Sequence, residues 1–551
     1  MKDSTRTMVA LLISMLTTYA TTALVPFFFE TLETELDAGP TKLGLLVMLN
    51  RITNSIAGVA WGWSADSYPR IRLWVLSSAM GALPTFVLAF AVNYTMFLLV
   101  YASAALGWSG LRSIALSLLP DLFVPTWRGK AMAIVGIYIL AATVTAVILS
   151  SMFQSQIGGV DGWRILHAVL ALAQIPACMA VMKLAVDPPR GGKDGGDVVV
   201  DEETLPYVEE VEEIEQQEEQ EPEPDRDRGG RDDGRYTGVA PDVVPDREEG
   251  EEKVGLAGRI SMAKEALIPI ITNRAFTLFT MSITMQSLPT AALAFAVLWF
   301  RYSGLSETGA AAAYAFAAMG FVIGSGIGGT AGDWISTRAR NHGRILIAQV
   351  CVVCNTTLIL ILILVMEKDN LFAIAPVMLL IGVFISIPPF ACDLPCSARI
   401  VRFHERGLAY ALQGMVSGVV ASTGSLLTGA IAENWFGYVE RDQDIEDVPP
   451  GIRAKNRDAL SHACLVVFMF CYITQFFLYF IIYKVYPAAR DAAQAHAKPT
   501  AHSDDRGDGT YDDHDRDETV SSVSDDGAES QDDDDDRSDA SLSSEYVSSD
   551  Q

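Results

Sequence analysis

Charged residues are scarce in most of this 551-residue chain, although its formal net charge is −27. They make up 19% of the sequence, and the excess of acids lies in two segments. Residues 187–253 hold 25 acids against 8 bases, and residues 490–551 hold 20 against 5. The remainder has 22 acids and 27 bases in a strongly apolar chain, which excludes an ordinary soluble protein. Without a basic domain, no nucleic-acid partner is expected.

The sequence also lacks the motifs of disulfide-linked, ATP-binding and zinc-binding proteins. The seven cysteines all lie in or at the ends of apolar stretches, so no disulfide framework is expected, and Cys351 and Cys354 are interpreted as small apolar residues. There is no ATP-binding G-x-x-x-x-G-K-[ST] loop and no H-E-x-x-H metal motif. The sequence therefore predicts no enzyme, no metal and no cofactor.

Long apolar stretches dominate what is present, and each is long enough to cross the ~30 Å hydrocarbon layer as a helix. Six precede the first acidic segment and six follow it. The spans are predicted near residues 8–29, 42–63, 73–92, 95–119, 130–153, 164–186, 273–300, 307–331, 344–366, 371–394, 407–432 and 461–486.

An even number of spans places both termini on one side of a lipid bilayer. The even-numbered loops are rich in arginine and the odd-numbered loops are acidic or nearly uncharged, so both termini and the acidic linker are predicted to be cytoplasmic. Which membrane holds the protein, the plasma membrane or an endolysosomal one, stays open. The predicted domains are a short N-terminus (1–7), a six-helix bundle (8–186), a disordered acidic linker (187–260), a second six-helix bundle (261–486) and a disordered acidic tail (487–551).

Two motifs occur once in each half of the chain. Glycine, a small residue, aspartate and then arginines follow spans 2 and 8, at Gly62, Asp66, Arg70 and Arg72 and again at Gly329, Asp333, Arg338, Arg340 and Arg344. A second pair follows spans 4 and 10, at Arg128-Gly129 and Arg406-Gly407. Similar offsets in the same order indicate two homologous halves. The predicted fold is an all-α membrane protein with twelve transmembrane helices in two pseudo-symmetric six-helix bundles.

With these motifs, and with Asp121-Leu122-Phe123 before Arg128, residues 8–486 resemble the major facilitator superfamily. Within it, the chain is similar to spinster-like transporters of lipids or organic solutes. Three segments carry that likeness, namely Gly162-Trp163-Arg164, Asp187-Pro188-Pro189-Arg190-Gly191 and Asn273-Arg274-Ala275-Phe276. The first span lacks the Asp-Arg pair of that group, and span 11 lacks its His and Asp.

The resemblance implies a role for the motif residues. In the family, such carboxylate–guanidinium pairs hold the two bundles together in the outward-facing state and separate when the bundles rock. This role is carried to Asp66, Arg70 and Arg128, and to Asp333 and Arg406. The alternative is that these residues only anchor loops to lipid headgroups.

Arginines inside spans are costly, so Arg51 and Arg112 are candidate residues of a substrate cavity. Asp393, near the equivalent depth of span 10, is a candidate partner for Arg112 and, with His167, a candidate proton carrier. The alternative for Arg112 is a structural ion pair without substrate contact. Tyr101, Trp108 and Trp299 are candidates for contact with an amphiphilic solute, although packing explains such aromatic residues equally well.

The predicted function is secondary active or facilitative transport of a small organic solute, anionic or amphiphilic, by alternating access. The predicted partners are this small-molecule substrate, the lipid bilayer and a coupling proton or other ion. The alternative is a membrane receptor or scaffold that does not transport and displays its acidic segments to cytoplasmic partners.

Overall fold

The computed structural model describes residues 2–122, 138, 141–188, 268–339, 342–366, 369–401 and 406–495. Within these ranges the chain is almost entirely helical, with one isolated β-bridge between Ile157 and Val160. Nearly all of the predicted acidic linker and tail lie outside the described residues.

In the described part of the chain the main helices follow one another in the order below, some of them interrupted by a short 3-10 or π turn. They are α1 (Lys2–Leu24, continued by Val25–Phe28 and Phe29–Glu35), α2 (Pro40–Ser67), α3 (Arg70–Leu88), α4 (Tyr94–Leu122), α5 (Ala141–Met152), α6 (Gly162–Leu184), α7 (Arg274–Ala292, continued by Leu293–Phe295 and Ala296–Tyr302), α8 (Glu307–Arg338), α9 (Gly343–Leu360, continued by Ile361–Val365), α10 (Leu371–Pro388, continued by Pro389–Asp393 and Leu394–Arg399), α11 (Arg406–Asn434) and α12 (Pro450–Ala495).

The predicted membrane fold is confirmed. Eleven of the described helices are long and apolar enough to cross a membrane, and α5 is the described part of predicted span 5. The helix ends differ from the apolar boundaries, since α1 begins at Lys2 and α12 runs from Pro450 to Ala495. Hydrogen bonding along a helix does not depend on hydrophobicity, so a helix continues past the end of its apolar stretch.

The packing repeats after six helices. In the N half (α1–α6), α2 packs on α4, α3 packs on α4 and α6, and α1 packs on α6. In the C half (α7–α12), α8 packs on α10, α9 packs on α10 and α12, and α7 packs on α12. Each of these contacts in the N half has its counterpart six helices later, as the repeated motifs predict.

Glycines allow the closest of these approaches. A Cβ at Gly320 of α8 would collide with the carbonyl oxygen of Leu379 on α10, and a Cβ at Gly382 would collide with that of Ala317. Small residues at helix interfaces increase van der Waals contact in membranes, where the hydrophobic effect between helices is absent. The α8–α10 pair is therefore among the closely packed helix pairs of the C half.

Candidate functional site between the two halves

Helices α2 and α11 run antiparallel and connect the two halves. Near the end of the molecule where α1 ends and α2 begins, which we call the closed face, their backbones touch. A Cβ at Gly44 would meet the backbone of Ser425, and a Cβ at Gly429 would meet that of Pro40. Halfway along, a Cβ at Gly418 would meet only the side chain of Ser55.

The same two helices diverge toward the opposite end, where α1 begins and α12 ends, which we call the terminal face. At Gly414 and Gly407 of α11 and at Gly62 of α2, an added Cβ would have no described atom within 4 Å. Among the described residues, the α2–α11 crossing is thus tight at the closed face and open toward the terminal face.

A buried ion pair joins the halves at the closed face. Arg441, in the loop after α11, donates from Nε to Oε2 of Glu33 on α1 over 3.1 Å, and the two side chains are 2% and 1% exposed. Tyr438 donates to the other oxygen of Glu33 over 2.8 Å and lies 2.7 Å from the hydroxyl of Tyr302 on α7. A buried pair of this kind is stable only with such additional hydrogen bonds.

The surroundings of Glu33 shift the pKa values of Arg441 and Tyr438, the two groups that the loop after α11 contributes. Burial by itself, the largest single influence, would lower the pKa of Arg441, but Glu33, Tyr302, Tyr438 and Glu30 together outweigh it and the pKa is raised. Burial, with the nearby charge of Glu33, also raises the pKa of Tyr438. Arg441 therefore stays positive and Tyr438 stays a hydroxyl donor at physiological pH.

Two further contacts join the N half to the C half at the closed face. Arg301 of α7 donates to Glu30 of α1 over 2.8 Å, and the backbone amide of Thr41 donates to Glu433 of α11 over 2.8 Å. No sequence motif marks the residues in these contacts. The signal was present in the acidic loop after span 1, but the basic partners lie more than 260 residues away in sequence.

Between the two faces lie the two intramembrane arginines. Arg51 shares the α11-facing side of α2 with Gly44 and Ser55, since these positions recur at helical spacing. It is partly buried and near the hydroxyls of Tyr101 on α4 and Tyr314 on α8. Arg51 thus lies where both halves meet.

Arg112 lies on a face of α4 whose exposure increases along the helix toward the terminal face. Tyr101, Ala105 and Trp108 share this face and are 3%, 0% and 6% exposed, whereas Arg112, one turn nearer the terminal face, is exposed. Its neighbour on α1 is Tyr19, and it forms no ion pair or hydrogen bond with another described residue. The face is packed near the closed end and open at Arg112.

The aromatic candidates belong to packed regions. Trp108 contacts Tyr101 edge-on at 5.9 Å between ring centroids and covers Gly81 of α3. Trp299 is buried in the C half, beside Phe300. His167 is buried in α6 and bonds through Nδ1 to the carbonyl of Trp163 at 2.7 Å.

Asp393 is not near Arg112. It is fully buried inside the C half, where it accepts hydrogen bonds from Tyr479 on α12 and Ser282 on α7. The suggested ion pair between Arg112 and Asp393 is therefore absent from the structure, because α10 turns this side chain toward α7 and α12.

At the terminal face, Arg70 makes its contacts within the N half. Its guanidinium is 2% exposed and binds Asp121 of α4 at 2.5 Å and Asp187, after α6, at 2.9 Å. It also donates to the backbone carbonyls of Ser117 and Pro188. Arg70 thus fastens the end of α6 to the start of α3 and the end of α4.

Arg344 takes the equivalent position in the C half. At the start of α9, it donates to the carbonyl of Ala391 on α10 over 2.8 Å and pairs with Asp333 of α8 at 2.5 Å. The carboxylate of Asp333 is 79% exposed. Residues 70 and 344 differ by the same offset as Ser117 and Ala391, so the repeat in the sequence is also a repeat of contacts.

The remaining motif residues lie at the same face. Arg128 and Gly129 lie outside the described residues, as does the side chain of Asp66, so the suggested pair between them stays a prediction. Arg72 and Gly407 are exposed, whereas Arg406 is partly buried at the start of α11. Gly329, like Gly62, has open space among the described atoms where a Cβ would lie. Among the described residues, no group of three or more His, Cys, Asp or Glu side chains has an arrangement suited to a metal ion.

The segments that suggested a spinster-like protein have structural roles. Trp163 donates to Glu35 at the end of α1 over 2.9 Å, and Arg164 stacks on the ring of Trp163. Asn273 caps α7 by accepting from the amides of Ala275 and Phe276. Together with the bonds between Arg70 and Asp187, these contacts fix the ends of α1, α6 and α7.

The fold and this arrangement define a multi-pass membrane protein built as two related six-helix halves around a central crossing. The Major Facilitator Superfamily model matches residues 10–425, and the chain belongs to that family of transporters. A comparison with curated protein sequences gives no match.

Solved structures have the same fold. A bacterial homologue of the human lysosomal transporter Spinster, inward-facing and unoccupied, is 15% identical with a TM-score of 0.66, over 89% of this chain and 98% of that one. A D-xylose–proton symporter is 13% identical with a TM-score of 0.54, over 84% and 96% of the chains. The nucleoside transporter NupG is 11% identical with a TM-score of 0.54, over 88% and 100%.

Proposed function

We propose that this protein moves a small organic anion or an anionic amphiphile across a membrane by alternating access. The observation that carries this proposal is Arg112, an exposed guanidinium inside a transmembrane helix with no ion-pair partner among the described residues. An arginine in hydrocarbon costs several kcal/mol, so an unpaired one indicates a water-filled cavity or an anionic ligand. A guanidinium binds carboxylate and phosphate groups through paired hydrogen bonds.

The course of α2 and α11 supports the alternating-access part of the proposal. Among the described residues, these helices touch at the closed face and separate toward the terminal face, the end toward which Arg112 lies on α4. The excess of arginine in the even-numbered loops makes the terminal face cytoplasmic. The conformation is then inward-facing, like that of the bacterial Spinster homologue.

Arg51 supports the choice of an anionic solute. It lies above Arg112 toward the closed face, where Tyr101 and Tyr314 contribute hydroxyl groups. Two guanidinium groups on α2 and α4 make this region positive, while the apolar side chains of the surrounding helices suit the hydrophobic part of an amphiphile.

The first test is ligand-induced thermal stabilisation of the purified full-length protein. The panel contains organic anions, lysolipids, sugars and amino acids, and a ligand at about 100 times its Kd stabilises the folded state by about 2.7 kcal/mol. Arg112→Ala is expected to weaken the affinity for an anion about 10- to 100-fold, because a hydrogen bond to a charged group is lost. Arg112→Lys keeps the charge without the planar fork and is expected to lose less.

Arg457→Ala is the matched control, since this arginine is 37% exposed and its ion pair among the described residues is with its neighbour Asp458. The control should bind as the wild type does. Stabilisation by neutral solutes alone, unchanged in Arg112→Ala, would contradict the anionic substrate.

Uptake into liposomes that survives deletion of residues 189–253 and 499–551 would contradict the receptor alternative, in which those segments carry the activity.

A further inference from the structure

A second polar site lies inside the C half, away from the space between the halves. Its centre is Asp393, a fully buried carboxyl group at the end of the π-helical turn Pro389–Asp393. Pro388 and Pro389 lack amide hydrogens, which disrupts the regular helix just before Asp393. Such widened turns recur at functional sites because they free backbone and side-chain groups from regular helix geometry.

Neutral donors surround this carboxyl group. The hydroxyl of Tyr479 lies 3.1 Å from each of its two oxygens, and the hydroxyl of Ser282 lies 3.3 Å from Oδ1. Among the described residues, no lysine, arginine or histidine forms an ion pair with Asp393. A carboxylate buried in this way is costly unless a cation neutralises it or a proton binds to it.

The charged and titratable groups on the helices around Asp393 do not supply a neutralising cation. On α9, Arg344 is already bound to Asp333 of α8 and to the carbonyl of Ala391. On α10 itself, Cys392 and Cys396 are buried thiols. On α12, the facing group is Tyr479, and α7 contributes only the neutral Ser282.

A buried amide beside Tyr479, that of Gln475, has an unused hydrogen-bond acceptor. It is fully buried one turn before Tyr479, and its amide nitrogen lies 3.4 Å from the Tyr479 hydroxyl and 3.5 Å from that of Ser282. Its amide oxygen has no hydrogen-bond partner among the described residues. Rotation of the amide by half a turn would place that oxygen where it accepts a proton from Tyr479.

We propose that Asp393, Ser282, Tyr479 and Gln475 form a proton-binding site inside the C half, and that its proton is the coupling ion of transport. With Asp393 ionised, Tyr479 donates to the carboxylate and Gln475 donates to Tyr479. With Asp393 protonated, its O–H donates to Tyr479, and the hydroxyl of Tyr479 donates to the rotated amide oxygen of Gln475. Hydroxyl and amide groups can reverse direction in this way, so both protonation states keep their hydrogen bonds.

Release of the proton needs water near Asp393. The O–H bond of the carboxylic acid breaks, the proton passes to a water molecule and the carboxylate remains. Six residues, or about 9 Å of helix, separate Asp393 from the end of α10 at Arg399. The terminal face is therefore the nearer route for this exchange.

This inference rests on the proposed transport function, but its test needs no solute. Infrared spectra of the full-length protein in liposomes would be recorded across a pH titration for the wild type and Asp393→Asn. We expect the carbonyl band of a buried protonated carboxylic acid in the wild type and its loss in the variant. Tyr479→Phe should shift that band, since one hydrogen bond to the acid is lost. Asp491→Asn, at an acid that is 61% exposed, is the control and should leave the band unchanged.

Coupling is measured by the accessibility of the closed face. In a background without native cysteines, Ala38→Cys reports on a buried position of that face. Its labelling rate is divided by that of the unfolded chain at the same pH, because the reactive thiolate fraction itself rises with pH. This ratio is expected to change several-fold between about pH 6 and about pH 9. The same change should be absent in Asp393→Asn. A wild type without the protonated band, a band removed by sodium in place of choline, or equal pH dependence in both backgrounds would overturn the proposal. A protein that binds no solute but keeps the band and its pH response would contradict only the proposed transport function.

Discussion

The two faces of the molecule use the same chemistry in different ways. At the closed face, Glu30 and Glu33 of the N half pair with Arg301 and Arg441 of the C half, so the contacts join the halves. At the terminal face, the described pairs of Arg70 and Arg344 stay within one half. A contact between halves must break when a transporter changes state, whereas a contact within a half can persist through the cycle. The comparison therefore separates candidate conformational contacts from structural ones.

The largest effect is expected from Arg441→Met, which leaves Glu33 buried without its partner. Breaking a buried pair in this way costs about 3–5 kcal/mol. We expect a lower midpoint of thermal unfolding and faster labelling of Ala38→Cys, because the closed face loses a contact that only this conformation makes. Glu33→Gln with Arg441→Met removes both charges and should recover much of the loss. An unfolding midpoint equal to that of the wild type would contradict a role for the pair at the closed face.

A matched pair of glycines tests the divergence of α2 and α11. Gly44→Ala should destabilise this conformation by about 1–3 kcal/mol, because the added methyl group meets the backbone of Ser425. Gly62→Ala, on the same helix with open space around it, should instead stabilise it by about 0.5–1 kcal/mol through better helix propensity. Chemical denaturation of both variants measures this difference, and effects of the same sign would mean that the two positions are equally packed.

The smallest effects compare the two halves at the terminal face. Asp121 and Asp333 each lie 2.5 Å from an arginine, but their side chains are 18% and 79% exposed. Asp333→Asn is expected to cost no more than about 1 kcal/mol, as solvent-exposed pairs do. Asp121→Asn should cost about 1.5–3 kcal/mol, because a hydrogen bond to a charged group is weakened where water is partly excluded. Thermal unfolding at low and high salt distinguishes the two, since only the exposed pair is strongly screened.

The repeated motifs show how far sequence reasoning reaches. The sequence placed arginines after Asp66 and Asp333, but spacing alone would match Arg70 with Arg338. The structure instead gives Arg70 and Arg344 the same carbonyl contact on the neighbouring helix. The carboxylate partners differ between the halves, and that difference could not be read from spacing. Glu33 and Arg441 escaped notice because each looks like an ordinary loop or helix-end charge in the sequence.

The sequence by itself determined the membrane fold, the number of halves and the positions of the intramembrane charges. These properties depend on local hydrophobicity and on repeated spacing, which survive without knowledge of distant contacts. Only the tertiary structure decided that Asp393 points into the C half and not toward Arg112, and that the ion pairs between halves lie at the closed face. Both depend on how helices rotate and cross, which small differences in packing control at positions hundreds of residues apart.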